Sequence, residues 1–258
     1  MILTVNIGNT NITLGGYTEG HSVFHARMHT NAAYTTDEFA LRIRQLLELK
    51  GFSGSAIDGA ILSSVVPSLT GHLTRALSML TEARVLTVGP GLKSGIRLCL
   101  DDPAELGSEL LCGIAAALDE YPGPVVMLCA DTAMSMIAAN AKREIVGGVI
   151  VPAPRPALAA LVQKAARLPQ VELQNLKKHT ILGKSTAACL QNGILLGTAA
   201  QIDGLADRFR AELGENARFF ATGDIPESVR ALCRTPLEYR KDLISDGMYS
   251  LWRRNCKG

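Results

Sequence analysis

Apolar and polar positions alternate in short runs at the start of the chain. Ile2-Leu3-Thr4-Val5 opens a strand-type run that closes at Asn6, and the turn-prone Gly8-Asn9-Thr10-Asn11 follows. Alternation resumes over Ile12-Thr13-Leu14, breaks at Gly15-Gly16, and returns from Val23 to Met28, so the opening reads as a three-stranded meander. Thr35-Thr36-Asp37-Glu38 supplies a helix start ahead of Phe39, Leu41, Ile43, Leu46 and Leu47, which are spaced for one helix face. Ala60-Ile61-Leu62 with Val65-Val66 predicts a buried strand stopped by Pro67. A helix to about Leu80 and a strand from Val85 to Val88 come next, and Gly89-Pro90-Gly91 ends the series.

The second half repeats this plan. Pro103 to Tyr121 has a helical pattern, Val125 to Cys129 a strand pattern, and Asp131-Thr132-Ala133 a turn before a second strand, Met134 to Ala139. Val146 to Val151 predicts a third strand interrupted at Gly147-Gly148. Helices are expected over Pro156 to Arg167 and Thr186 to Leu213, a strand over Phe219 to Ala221, and a last helix from about Leu243 to Arg254. Strands interleaved with helices in this order imply mixed sheets with helices packed on them, an α/β class.

Composition narrows the picture. Apolar residues make up 47 % and charged residues 19 % of 258, which fits a globular protein rather than a disordered one. With Lys+Arg 26 against Asp+Glu 24 the net charge is +2, so neither nucleic acid nor a membrane surface is indicated as a partner. The cluster Arg253, Arg254 and Lys257 reads as a helix-end charge pattern. Six scattered cysteines without a CxxC pair, an opening without a signal pattern and no run of membrane-span length predict a reduced, soluble, cytoplasmic protein.

Familiar chemical motifs are missing: GxxxxGK[ST], GxSxG and HExxH do not occur. His21, His25 and His29 fall four apart in a strand-and-loop stretch and read as solvated surface. The two strand–turn–strand openings, Val5 to Asn11 and Leu128 to Ala133, are the informative features. Such a hairpin is either a plain turn or a phosphate cradle, with backbone N–H groups and hydroxyls converging on one spot.

The chain nevertheless resembles the type III pantothenate kinase family nearly end to end. Val5-Asn6-Ile7-Gly8-Asn9-Thr10-Asn11 is similar to that family's D-V-G-N-T-N phosphate loop. Ser63 to Pro67, Val88 to Gly95, Gly147-Gly148 with Val151-Pro152, Arg167 to Leu173, Gly183 to Thr186, Ala221 to Gly223 and Asp246-Gly247 match further stretches in family order. The resemblance implies duplicated ribonuclease-H-like domains of the actin and sugar-kinase type with an intervening cleft, here over residues 1–115 and 116–258, with the two hairpins facing each other. It also implies ATP-dependent phosphorylation of pantothenate, the first step of coenzyme A synthesis. Mg²⁺, a monovalent cation (K⁺ or NH₄⁺) and a homodimer belong to the same expectation.

By the same resemblance Asn6, Gly8, Asn9, Thr10, Asn11 and Thr132 would meet ATP, and Leu100, Gly107, Ser108, Leu110 and Thr186 the substrate. Glu109 would be the catalytic base, and Cys129 marks the monovalent-cation position. Several of these depart from the family pattern. Asn6 replaces an aspartate, Glu109-Leu110 replaces aspartate and arginine of G-A-D-R, Leu100 replaces a tyrosine, and Cys129 replaces the cation-binding aspartate. Asp131, two positions on and read as lying on the same strand face, is the possible substitute at the cation site. Losses gathered at the chemistry while scaffold stretches persist predict a diverged or catalytically impaired member, a pseudoenzyme. An active pantothenate kinase or small-alcohol phosphotransferase using Glu109, and a non-catalytic interaction or regulatory dimer, are the alternatives.

Overall fold

The computed structural model describes residues 1–165, 167–173 and 181–256. Lys257 of the basic cluster lies outside the described residues. The chain forms two compact units: Met1–Arg97, Asp101–Glu120 and Asp242–Gly258 make the first, and Leu98–Leu100 with Tyr121–Lys241 the second. The sequence suggested a linear division at 115/116. Instead the chain crosses at Glu120 and returns at Asp242, because the last helix packs on the first unit.

In the first unit β1 (Ile2–Ile7), β2 (Asn11–Thr18), β3 (His21–His29), β4 (Gly59–Ser64) and β5 (Val85–Thr87) form a sheet of order β3-β2-β1-β4-β5. β1 pairs antiparallel with β2 and parallel with β4. Helices α1 (Thr36–Leu49) and α2 (Pro67–Leu80) connect the parallel strands. The expected capping box is present: Thr35 accepts from the Glu38 backbone N–H, and the Glu38 side chain accepts from the N–H of Thr35. That hydrogen bonding lowers the Glu38 pKa. Strand alternation then sorts the faces. Leu3, Val5, Ile7, Ala60 and Leu62 bury against α1 and α2, whereas Ile61 packs with Cys112, Ala115, Met248 and Leu251. The latter belong to α3 (Ser108–Glu120) and the C-terminal helix (Leu243–Cys256).

The second sheet contains β6 (Arg97–Leu98), β7 (Val125–Ala130), β8 (Ala133–Ala139), β9 (Glu144–Pro152), β10 (Arg218–Gly223) and β11 (Leu237–Tyr239), in the order β11-β10-β7-β8-β9-β6. Read as β9-β8-β7-β10-β11, this repeats the first sheet strand for strand, with β7–β8 antiparallel and β7–β10 parallel. Helices α4 (Pro154–Lys164), α5 (Thr186–Leu213) and α6 (Glu227–Leu232) complete it, followed in the chain by α7 (Leu243–Cys256). Val126, Leu128, Met136, Leu195, Ile202 and Phe219 share its core. No helix among the described residues is long and apolar enough to cross a membrane.

Some elements differ from expectation for local reasons. The helix expected from Pro103 is a short 3-10 turn, Pro103–Glu105, capped by Asp102; extended backbone at Leu106 separates it from α3. β9 is not interrupted at its glycines. A Cβ at Gly148 would lie 2.4 Å from the Met136 carbonyl oxygen, so glycine there lets the strand pair closely with β8.

Asp203, buried on α5, holds the turn before β11. Its carboxylate accepts from the Arg234 N–H at 3.0 Å and the Thr235 N–H at 2.9 Å. Burial would raise its pKa, but these backbone hydrogen bonds outweigh it and the value is lowered. Burial, with the Asp203 charge adding, pushes the Cys233 thiol up to about 12. Asp203→Ala strands both N–H donors and is expected to cost about 2–3 kcal/mol in urea denaturation. Because the folded pKa is depressed, the contribution of Asp203 is full above the unfolded value near 4 and is lost as pH falls through the lower folded value. The variant should therefore show a smaller loss of stability than wild type across that acid window.

Candidate functional site

β1 and β4 run parallel and end at the same edge of the first sheet, where α/β folds gather ligand-binding loops. After Ile7 the chain turns tightly: the Gly8 N–H donates to the Asn11 carbonyl at 3.0 Å. A Cβ on Gly8 would sit 3.0 Å from that same oxygen, so the turn is built for glycine. Thr30 pins the turn from β3's end, its hydroxyl donating to the Gly8 carbonyl at 2.7 Å and its N–H to the Thr10 carbonyl at 3.0 Å. Gly8 is buried, Asn11 half-buried, and Asn9 and Thr10 are exposed at the tip.

One residue before the strand ends, Asn6 pairs in register with Thr13 on β2 and Ser63 on β4. Asn6 is only 8 % exposed, and its Oδ1 is buried without a hydrogen-bond partner among the described residues. Ser63 leads to α3: its hydroxyl lies 2.9 Å from the Ser108 hydroxyl. Ser108 Oγ also accepts from the Ser64 N–H and donates to the Ser64 carbonyl, each at 3.1 Å. This network fixes the first turn of α3, and with it Glu109, against the strand ends. Cys112 sits one turn further on. Burial pushes its thiol up, the Glu109 charge adds to that, and a hydrogen bond with Ser63 opposes it.

Gly107 accepts the Leu110 and Leu111 N–H groups at 3.0 and 3.2 Å and so opens the helix. A Cβ on Gly107 would meet Val65 Cγ1 at 3.7 Å and Leu110 Cγ and Cδ1 at 3.8 Å. Two apolar side chains therefore converge over the segment that the resemblance assigned to a substrate-gripping arginine.

The second unit carries the remaining expected positions. Cys129 is buried in β7, in register with Ser135 and Thr222. β7 ends at Ala130, and the Asp131 N–H donates to the Ala133 carbonyl at 2.9 Å. Asp131 and Thr132 consequently stand exposed in the turn. The reading of Asp131 on the same strand face as Cys129 is corrected: the chain has left the strand before Asp131. Leu100 is half-buried after β6, and Thr186 is exposed at the start of α5, whose cap is the Ser185 hydroxyl accepting from the Ala188 N–H at 3.2 Å.

Other contacts here have no local signature in the chain. Arg155 at the start of α4 forms an ion pair with Asp224 at 2.9 Å, beside the Thr222-Gly223 strand end. His25 is not simply solvated surface. It is half-buried, 2.6 Å from the Ser22 hydroxyl and 3.3 Å from Asp242. The Ser63–Ser108 link had one legible signal, small polar residues in two of the matched stretches. The unpartnered Asn6 oxygen had none.

The family model described as type III pantothenate kinase matches residues 2–208. A type III pantothenate kinase of Exiguobacterium sp. strain AT1b is 34 % identical over 257 residues, covering 100 % of both chains. Among solved structures, a protein assigned to a Baf family of transcriptional activators from Campylobacter jejuni aligns with TM-score 0.59, 17 % identity and 98 % coverage of each chain. A ROK hexokinase from Thermus thermophilus aligns with TM-score 0.53, 13 % identity and 97 % coverage of each. The structural neighbours establish the fold as the duplicated ribonuclease-H-like type of actin and the sugar kinases. By family model and by full-length identity, the chain belongs to the type III pantothenate kinase family.

Proposed function

We propose that this chain is a type III pantothenate kinase-like protein that binds a nucleoside triphosphate but transfers phosphate to pantothenate poorly. The carrying observation is Leu110, an apolar side chain that, like Val65, lies beside Gly107 at the start of α3. An apolar side chain there offers no charge-assisted hydrogen bond to a carboxylate or hydroxyl. Leaving such a substrate group unpaired costs on the order of 1–3 kcal/mol, roughly 5–150-fold in affinity.

Kinase chemistry calls for ATP and a divalent cation, and the residues present suit the two unequally. The Gly8–Asn11 turn, with its exposed tip and its glycine held close to Asn11, suits the phosphate chain. Position 6 suits a directly bound divalent cation less well than a carboxylate would, since its side chain is a neutral amide without the negative charge that favours such an ion. Among the described residues no group of three His, Cys, Asp or Glu is placed to hold a metal ion. The buried Cys129 thiol is likewise a poor oxygen-type ligand for K⁺.

A second reading, an active phosphotransferase, is favoured by the placement of Glu109, which the Ser63–Ser108 network fixes at the strand ends. A base has to reach within about 2.6–3.2 Å of the hydroxyl it deprotonates.

One assay series separates the two. ATP consumption coupled to pantothenate should run well below the roughly 1–100 s⁻¹ ordinary for kinases, and a rate within that range overturns the impaired reading. Whatever transfer remains is expected to run through Glu109. Glu109→Gln should abolish it, Glu109→Asp should raise it by shortening the side chain, and neither should unfold the protein. Equal rates in wild type and Glu109→Gln would remove Glu109 from the reaction.

A further inference from the structure

The Asn6 amide is buried in the middle of a sheet with its Oδ1 unsatisfied among the described residues, which is costly unless a further group completes it. Its position explains why no group among the described residues does so. Leu3, Val5 and Ile7 face the core under α1 and α2, so Asn6 faces the opposite side with Ser63. The Ser63 hydroxyl is engaged with Ser108, and the Ser64 hydroxyl with the Val66 carbonyl and Thr70. On this side Ser108 also begins α3, a helix of 13 residues whose N-terminal end favours negative charge. The Gly8 turn follows two residues after Asn6.

An amide and a carboxylate at this position have different ligand preferences. A carboxylate only accepts hydrogen bonds and repels a phosphate unless a cation lies between them. An amide carries both a carbonyl oxygen and an NH₂ group, and a half-turn of the side chain presents the donor in place of the acceptor. Glu109 in the first turn of α3 is an acid that works against an anion here. Asn6 adds no second negative charge to it.

We propose that the Asn6 amide donates directly to a phosphate oxygen, so that the Gly8–Asn11 turn binds a nucleoside triphosphate without a divalent cation. This rests on the reading of the chain as a nucleotide-binding kinase relative. No bond is made or broken, so binding alone is the readout.

The test is isothermal titration of the full chain with ATP, once in excess EDTA and once in Mg²⁺, for wild type, Asn6→Asp and Asn6→Ser. Wild-type affinity is expected to change less than about threefold between the two media, a difference under 1 kcal/mol. Asn6→Asp, nearly isosteric, should bind at least about tenfold more weakly in EDTA and recover in Mg²⁺, the signature of a restored cation requirement. Asn6→Ser, too short to span to the phosphate, should lose affinity in both media. A wild type that loses tenfold or more in EDTA overturns metal-free binding while leaving the nucleotide-binding reading intact. An Asn6→Ser variant matching wild type in EDTA overturns the role of the amide. Absence of ATP binding by the folded wild type in either medium overturns both readings together.

Discussion

The combined variant Asn6→Asp, Glu109→Asp, Leu110→Arg is expected to raise kcat/KM for pantothenate by about a hundredfold or more over wild type, equivalent to at least about 2.7 kcal/mol of transition-state stabilisation. The three positions lie on one edge of the first sheet: Asn6 near the end of β1, and Glu109 and Leu110 in the first turn of α3. Leu110 is half-buried, so a longer side chain has room to extend away from Val65. An arginine there can form paired, charge-assisted hydrogen bonds, each worth about 1.5–3 kcal/mol.

The single variants should divide the effect. Leu110→Arg alone should act mainly on KM for pantothenate, because it grips the substrate before and during transfer. Asn6→Asp alone should act on kcat and on the Mg²⁺ requirement, because it touches the phosphate end. Their effects need not add, since both converge on one substrate and metal arrangement. Initial-rate measurements across pantothenate and Mg²⁺ concentrations give all of these quantities. No gain in the combined variant, with folding intact, would show that these positions do not account for weak transfer.

Gly247→Ala should produce the largest loss of stability among the conservative substitutions considered. Gly247 lies in α7 where that helix crosses α3, and a Cβ there would fall 1.7 Å from the Cys112 carbonyl oxygen and 2.5 Å from its carbon. Both are backbone atoms, so no flexible side chain can move aside and the helices must separate. Cys112, Ala115, Met248 and Leu251 in the same buried cluster would then lose contact. Overpacking a core usually costs about 1–3 kcal/mol, and a backbone clash belongs at the upper end. At roughly 2–4 °C per kcal/mol for a chain of this size, the melting temperature should drop by about 6–12 °C. Gly193→Ala serves as the contrast. It is exposed on α5 with nothing among the described residues within 4 Å of the added Cβ, and should gain up to about 1 kcal/mol from helix propensity. A Gly247→Ala melting temperature within about 2 °C of wild type, less than 1 kcal/mol, would falsify the packing argument.

Much of the fold was readable from local pattern. The meander, the capping box before α1, the helix start at Pro67 and the limits of α5 are set by alternation, cap chemistry and ring geometry, all of which act within a few residues, although the strand before Pro67 already ends at Ser64. The internal repeat was readable for the same reason, and the two sheets share one strand order. The candidate positions and their unusual occupants (Asn6, Leu100, Glu109, Leu110 and Cys129) were visible as residue identities. Other features depended on contacts between distant segments. The α7 segment, Leu243–Cys256, joins the first unit because it buries Met248 and Leu251 against α3 and the sheet, a partnership that no local pattern encodes. Asp131 leaves the strand because one backbone hydrogen bond closes the turn at Ala133. The sequence determined which side chains stand at each position. Only the tertiary structure decided that Ser63 and Ser108, 45 residues apart, hold each other while the Asn6 Oδ1 finds no partner among the described residues, because hydrogen-bond satisfaction depends on which groups the fold brings within reach.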